Sequence, residues 1–230
     1  MLEKLSNLKN KKKIATDMDE VLTLISPLWT YLLLENKTHF SEYMDLDFDY
    51  SMMHVLNRDE YYLNNWLSNG KELPEEVFDL FLGLYKDNDK FYSNCRITNF
   101  GMTLKILLDR GEIEHIYIVT KVIEGTEDYK KRWVAKYLGT ENITFISVDG
   151  DTKKSEAINE LGIEYDLFID DCLDNIYDVL KNTNSYNKSF FIPKYGYNKD
   201  EEMREKISSL ATNNLSTVYL YESRIFREGE

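Results

Sequence analysis

The sequence predicts an α/β protein built on a parallel sheet, with a helical unit inserted after the first strand. Three observations carry this expectation. Short apolar runs ending in polar or acidic residues recur along the 230-residue chain, helical patterns separate the later runs, and one long interval breaks the alternation.

The runs are "KIATD" at 13–17, "HIYIVT" at 115–120, "ITFISVD" at 143–149, "YDLFIDD" at 165–171 and "SFFIP" at 189–193. Each has strand length and is rich in β-branched or aromatic residues. Helices are expected over Glu127 to Leu138, Thr152 to Leu161, Asp174 to Leu180 and Asp200 to Leu210. In the second, Ala157, Ile158 and Leu161 form one apolar stripe behind a Thr152 start. "NFGMTLKILLDRG" reads as a further helix, stopped by Gly111.

Residues 26–96 read as mostly helical, from Ser26-Pro27 as a helix start to "LPEEVFDLFLGLYKD" with Pro74 in its first turn. This interval is the expected helical cap. Residues 1–25 and 97–230 form the expected core domain.

Composition narrows the function. Lys and Arg number 28 against 41 Asp and Glu, a formal charge of −13, which disfavours a surface that tracks the phosphates of duplex nucleic acid. An anionic substrate then needs a local cluster of cations or a metal. Two distant cysteines, Cys95 and Cys172, suit a reduced cytoplasmic protein better than a disulfide-stapled one. His39, His54 and His115 share no ligand-like spacing, so zinc is set aside. The N-terminal segment lacks the pattern of a signal peptide, and "VLTLISPLWTYLLL", interrupted by Pro27, is too short to span a bilayer. No membrane partner is expected.

The chemistry gathers at the strand ends. In an open parallel sheet ligands bind at the carboxyl ends of the strands. Those ends carry Asp17 and Asp19 in "IATDMDEVLT", Thr120 and Lys121, and Asp170 and Asp171, with Lys153 and Lys154 at a helix start. Isolated buried charge costs several kcal/mol, so a strand ending in acids delivers them to a cation, a cleft or solvent. Grouped carboxylate oxygens suit Mg²⁺, which in turn neutralises a phosphate. Asp17 is then placed to attack phosphorus and Asp19 to protonate the leaving oxygen, while Thr120 and a lysine hold the phosphoryl oxygens. A lone D-x-D, "IDD" or "KK" means little; the order of all of them in one alternating scaffold carries the reading.

Taken together, "DMDEVLT", "IYIVT", "DTKKSEAI" and "DLFIDDCLDN" resemble the four motifs of the haloacid dehalogenase-like (HAD) phosphohydrolases, across essentially the whole chain. "YKKRWVAKYLG" and "DLFIDD" are similar to the 5'(3')-deoxyribonucleotidase branch, with Trp133, Val134, Leu138 and Gly139 matching outside the motifs. The resemblance implies a Rossmann-like core with a helical cap after the first strand, and an Mg²⁺-dependent phosphatase of nucleoside monophosphates. It implies Asp17 as nucleophile and metal ligand, and Asp19 as general acid/base whose backbone carbonyl also reaches the metal. Thr120, with Lys121, would bind phosphate. Lys154 is preferred over Lys153 as the third-motif lysine; Asp170 and Asp171 compete for the metal, and Asp174 is a candidate partner of the lysine or of a metal-bound water.

Two departures stand out. Glu20 occupies the position where the branch has glycine, and Leu24 and Ile25 replace its acidic-aromatic pair, removing one stacking surface for a base. The cap aromatics Trp29, Phe40, Tyr43, Phe48, Tyr61, Tyr62 and Trp66 could stack a base instead. Alternatives are a phosphatase for another small phosphoester or a nucleic acid strand end, and a non-catalytic binding protein on the same scaffold. A homodimer is allowed.

Overall fold

The computed structural model describes residues 11–28, 83, 90–211 and 215–218. Most of the expected cap, including its seven aromatic candidates, lies outside the described residues.

Six strands form one sheet: β1 (Lys13–Thr16), β4 (His115–Lys121), β5 (Ile143–Val148), β6 (Leu167–Ile169), β7 (Ser189–Pro193) and β8 (Leu215–Val218). Their order is β5-β4-β1-β6-β7-β8, and every neighbouring pair is parallel. From β1 the chain winds outward through β4 to β5, crosses back to β6, and winds outward again through β7 to β8. The sheet is therefore Rossmann-like, and its order reverses between β1 and β6. At such a reversal the flanking connections leave to opposite sides and open a crevice beyond the strand ends. β8 was not among the expected strands.

Side chains alternate across the sheet and divide the core in two. Ile14, Ile116, Ile118, Leu167, Ile169 and Phe191 face one layer. That layer contains α1 (Lys90–Asn94), α2 (Asn99–Asp109) and α3 (Glu127–Tyr137). Ala15, Val119, Ile146, Phe168, Phe190 and Ile192 face the other. That one contains α4 (Lys154–Glu160), α5 (Leu173–Asn182) and α6 (Glu201–Ala211). Strands buried on both faces explain why the runs read as nearly continuous apolar stretches.

Two short strands, β2 (Thr23–Leu24) and β3 (Arg96–Ile97), pair antiparallel beside the end of β1. They bring the two ends of the intervening segment together. Thr98 fastens α2 to the same loop: its hydroxyl caps Gly101 N at 2.9 Å and donates to Val21 O at 2.7 Å. Gly101 has to be small there, because a Cβ would stand 2.8 Å from Ile97 Cγ1 and 3.2 Å from Leu22 O.

The helix expected from Thr152 starts at Lys154, because residues 149–152 close a turn first, with Thr152 N donating to Asp149 O at 3.0 Å. It also ends before Leu161, which is 60% exposed rather than part of the apolar stripe. Gly162, at φ +58, turns the chain away one residue later. Gly111, at φ +68, follows α2 as a left-handed stop.

Candidate active site

The chain leaves β1 directly into Asp17, whose backbone N–H donates to Ile169 O on β6 at 2.9 Å. That bond sets the end of β1 beside the end of β6, where Asp170 and Asp171 follow. Carboxylate oxygens of Asp17, Asp170 and Asp171 all lie within 4.8 Å of one another, and all three residues are buried. Lys154, buried at the start of α4, reaches between them, with Nζ 2.6 Å from Asp17 Oδ1 and 2.7 Å from Asp170 Oδ2. Asp178 on α5 holds Ser155 by both its N–H, at 3.0 Å, and its hydroxyl, at 2.9 Å. The start of α4, and with it Lys154, is thereby fixed against α5.

The other oxygen of Asp170 accepts from Cys172 N at 2.9 Å and from Asn175 Nδ2 at 3.1 Å. Asp171 accepts from the Tyr197 hydroxyl at 2.6 Å. Asp174, on the same stretch, is exposed, and Asn175 supplies the contact to the acid cluster.

Three carboxylates crowd one ammonium in this buried nest. Burial, opposed by Lys154 and reinforced by Asp17, pushes Asp170 up to about 6. Burial and the charges of Asp17 and Asp170 push Asp171 well above the usual carboxylate range. Burial alone would lower Lys154, but Asp17 and Asp170 outweigh it and hold the ammonium above its ordinary value. A buried set of hard oxygens with excess negative charge is what a divalent cation balances, so Asp17, Asp170 and Asp171 fit a metal.

Asp19 lies on the next turn of the loop and points elsewhere. Its Oδ2 is 2.8 Å from Lys130 Nζ, the Tyr92 hydroxyl is 3.2 Å from both its oxygens, and Thr23 donates to Oδ1 at 3.3 Å. Its carboxylate is outside the three-acid cluster. Thr120, at the end of β4, is buried, and its Oγ accepts from Lys130 at 3.0 Å. Two expected phosphate ligands lie apart: Lys121 is exposed with its ammonium on Gly150 O at 2.9 Å, and Lys153 is exposed at the cap of α4.

No protein-family model matches the sequence, and no curated protein does either. Solved structures do. A haloacid dehalogenase-like hydrolase from Bacteroides fragilis superposes with a TM-score of 0.58 over 94% of this chain and 99% of its own, at 12% identity. The chain has the haloacid dehalogenase-like fold. A phosphatase from Clostridium difficile gives 0.59 over 86% of this chain and 91% of its own, at 13% identity. A HAD family hydrolase from Deinococcus radiodurans, with bound phosphate and sodium, gives 0.52 over 90% and 91%, at 15% identity. At such identities the likeness is one of fold; the chemistry rests on the site's own residues.

On this HAD-like sheet, residues that the motifs did not single out complete the surroundings of the acids. Lys130 is the largest omission: it is buried, and its Nζ also donates to Lys121 O at 2.6 Å. The signal was present. Lys130, Trp133 and Val134 share one face of α3 at i, i+3 and i+4, so a lysine stands in an apolar stripe. Tyr92 and Tyr197 carried no such signal, because each reaches its aspartate from a distant part of the chain.

Proposed function

We propose that the chain is a metal-dependent phosphomonoesterase, with Mg²⁺ as its metal and a deoxyribonucleoside monophosphate as its substrate. The observation that carries this reading is the nest of Asp17, Asp170 and Asp171 around Lys154, at the point where the strand order reverses. Asp17, Asp170 and Asp171 would hold the metal, with the backbone carbonyl of Asp19 added to them. Once bound, it would neutralise charge between the acids and the substrate phosphate.

The chain's own residues supply the remaining steps. An Asp17 oxygen attacks phosphorus, the bond from phosphorus to the ester oxygen breaks, and Asp19 gives its proton to the departing oxygen. Asp19 then takes a proton from water, which attacks the aspartyl phosphate and returns Asp17 with release of phosphate. Thr120 and Lys154 hold the phosphoryl oxygens as charge develops. Lys121 and Lys153, both exposed, are left out of this scheme.

The helical cap over 26–96 belongs to the proposal as well, supported by the β2–β3 ribbon that gathers its two ends. So does a reducing, cytoplasmic setting, supported by the two buried free thiols, Cys95 and Cys172. The nucleotide specificity draws on the "RWVAKYLG" resemblance. A phosphoester without a nucleobase is the second reading, favoured by Leu24 and Ile25 standing where the branch carries its acidic-aromatic pair.

Phosphate release from a panel of nucleotides and sugar phosphates, with Mg²⁺ and with chelator, tests these claims. Nucleotide turnover that needs the metal and falls at least about 10³-fold in Asp17→Asn is expected. Turnover of sugar phosphates alone would remove the nucleotidase claim. Turnover surviving in Asp17→Asn would remove the nucleophile.

A further inference from the structure

Lys130 spends every proton it has. Its three N–H bonds go to Asp19 Oδ2 at 2.8 Å, Thr120 Oγ at 3.0 Å and Lys121 O at 2.6 Å, and the side chain is 1% exposed. No donor remains for a substrate. Two of the acceptors belong to the end of β4, where Thr120 and Lys121 pair with Ser147 and Val148 of β5, so the ammonium is anchored to the sheet. The third is the carboxylate of Asp19, on the loop after β1. The Tyr92 ring, 5.7 Å away, lies against the same ammonium, and its hydroxyl reaches Asp19.

We infer that Lys130 is a positioning residue for the acid of the reaction: it ties Asp19 to the end of β4, so that the carboxylate meets the leaving oxygen. The inference rests on the phosphatase reading. Lys130 holds Oδ2 while Thr23 and Tyr92 donate to Oδ1, so the orientation of the carboxylate is fixed at both oxygens. The Thr120 hydroxyl, which accepts from Lys130, itself donates to Lys121 O at 3.4 Å, so both β4 acceptors belong to one hydrogen-bonded group.

Protonation of the leaving oxygen matters for a poor leaving group and hardly at all for a good one. The quantity to follow is kcat/KM, which covers the steps up to loss of the leaving group and leaves out the later attack of water. In Lys130→Met, kcat/KM for an alkyl phosphate such as glycerol phosphate or a nucleotide is expected to fall about 10²-fold. For p-nitrophenyl phosphate it should fall less than about threefold, and inhibition by inorganic phosphate should change by no more than that. Equal losses for both substrates would overturn the inference, as would weakened phosphate inhibition with kcat unchanged.

Removing one member of a buried ion pair endangers folding, so the paired variant Lys130→Met/Asp19→Asn, which removes both charges, is made as well. If Lys130 acts through Asp19, that variant matches Asp19→Asn within about threefold on alkyl phosphates; a further loss of about 10²-fold would overturn the claim. Wild-type protein inert toward every phosphoester would sink the phosphatase reading and the inference together. An active wild type whose losses ignore the leaving group sinks the inference alone.

Discussion

Glu20 holds a backbone conformation, φ 57, that costs a residue with a Cβ about 1–2 kcal/mol. It is nevertheless buried, and its carboxylate folds back to accept from Ser26 N at 2.5 Å and from the Ser26 hydroxyl, while its carbonyl accepts from the Tyr195 hydroxyl. Hydrogen bonds to a charged group contribute about 1.5–3 kcal/mol each, enough to offset the backbone cost. The two effects separate by substitution. Glu20→Ala keeps the strain and leaves Ser26 N without the carboxylate, so it should cost about 2–4 kcal/mol in urea unfolding. Glu20→Gly loses the same bonds but relieves the strain, and should be about 1 kcal/mol more stable than the alanine variant. Equal stabilities would mean that the left-handed turn carries no cost. The sequence showed an acid where a glycine belongs to the resembled branch; it could not show that the acid serves as the turn's own anchor, because Ser26 and Tyr195 come together only in the folded chain.

Elements were legible where one local pattern decides them. The five runs read as strands form β1, β4, β5, β6 and β7 because their apolar residues meet a core layer and their backbones find partners in the sheet, even at the edge, where β5 keeps Ile146 and Val148 buried. β8 has no such local signal, because pairing with β7, rather than a long apolar run, makes "LSTV" a strand. Leu161 fits the apolar stripe yet lies exposed beyond α4, because helical periodicity says nothing of where the helix stops. At the candidate site, the acids at the strand ends were visible as short motifs, whereas Lys130 was visible only by periodicity on α3. That helix is held by Trp133, 2% exposed, which packs against Tyr137 at 4.8 Å between ring centroids and donates from Nε1 to Cys95 O at 2.9 Å. Trp133→Phe keeps most of the packing but leaves the buried Cys95 carbonyl without its donor. A loss of about 1–3 kcal/mol in urea unfolding is expected. A smaller loss would show that the indole bond does not secure α3 against the start of β3.

The stability of the whole molecule should respond to pH through its acid nest, and to metal in the same range. Asp170, raised to about 6, and Asp171, raised well above its ordinary value, release their protons near about pH 4 in the unfolded chain. Between about pH 4 and those raised values the native protein holds more protons than the unfolded one, so stability falls as pH rises through that window. The stabilising contribution of Lys154, whose pKa is raised, is present throughout this range and fades only above about pH 10. A divalent ion competes with those protons and binds only the folded nest, so its stabilisation should grow as the acids ionise. The gap in Tm between protein with Mg²⁺ and protein with chelator is therefore expected to be small near about pH 5 and several °C near about pH 8. A chain of formal charge −13 also gains from simple screening, so sodium chloride at matched ionic strength must be subtracted. Asp171→Asn completes the measurement. It removes one of the crowded acids, so the metal-free protein should lose stability less steeply than wild type as pH rises from about 5, while the gap due to Mg²⁺ shrinks. A gap that ignores pH, or one that Asp171→Asn leaves untouched, would place the ion elsewhere on this acidic surface and leave the nest without its metal.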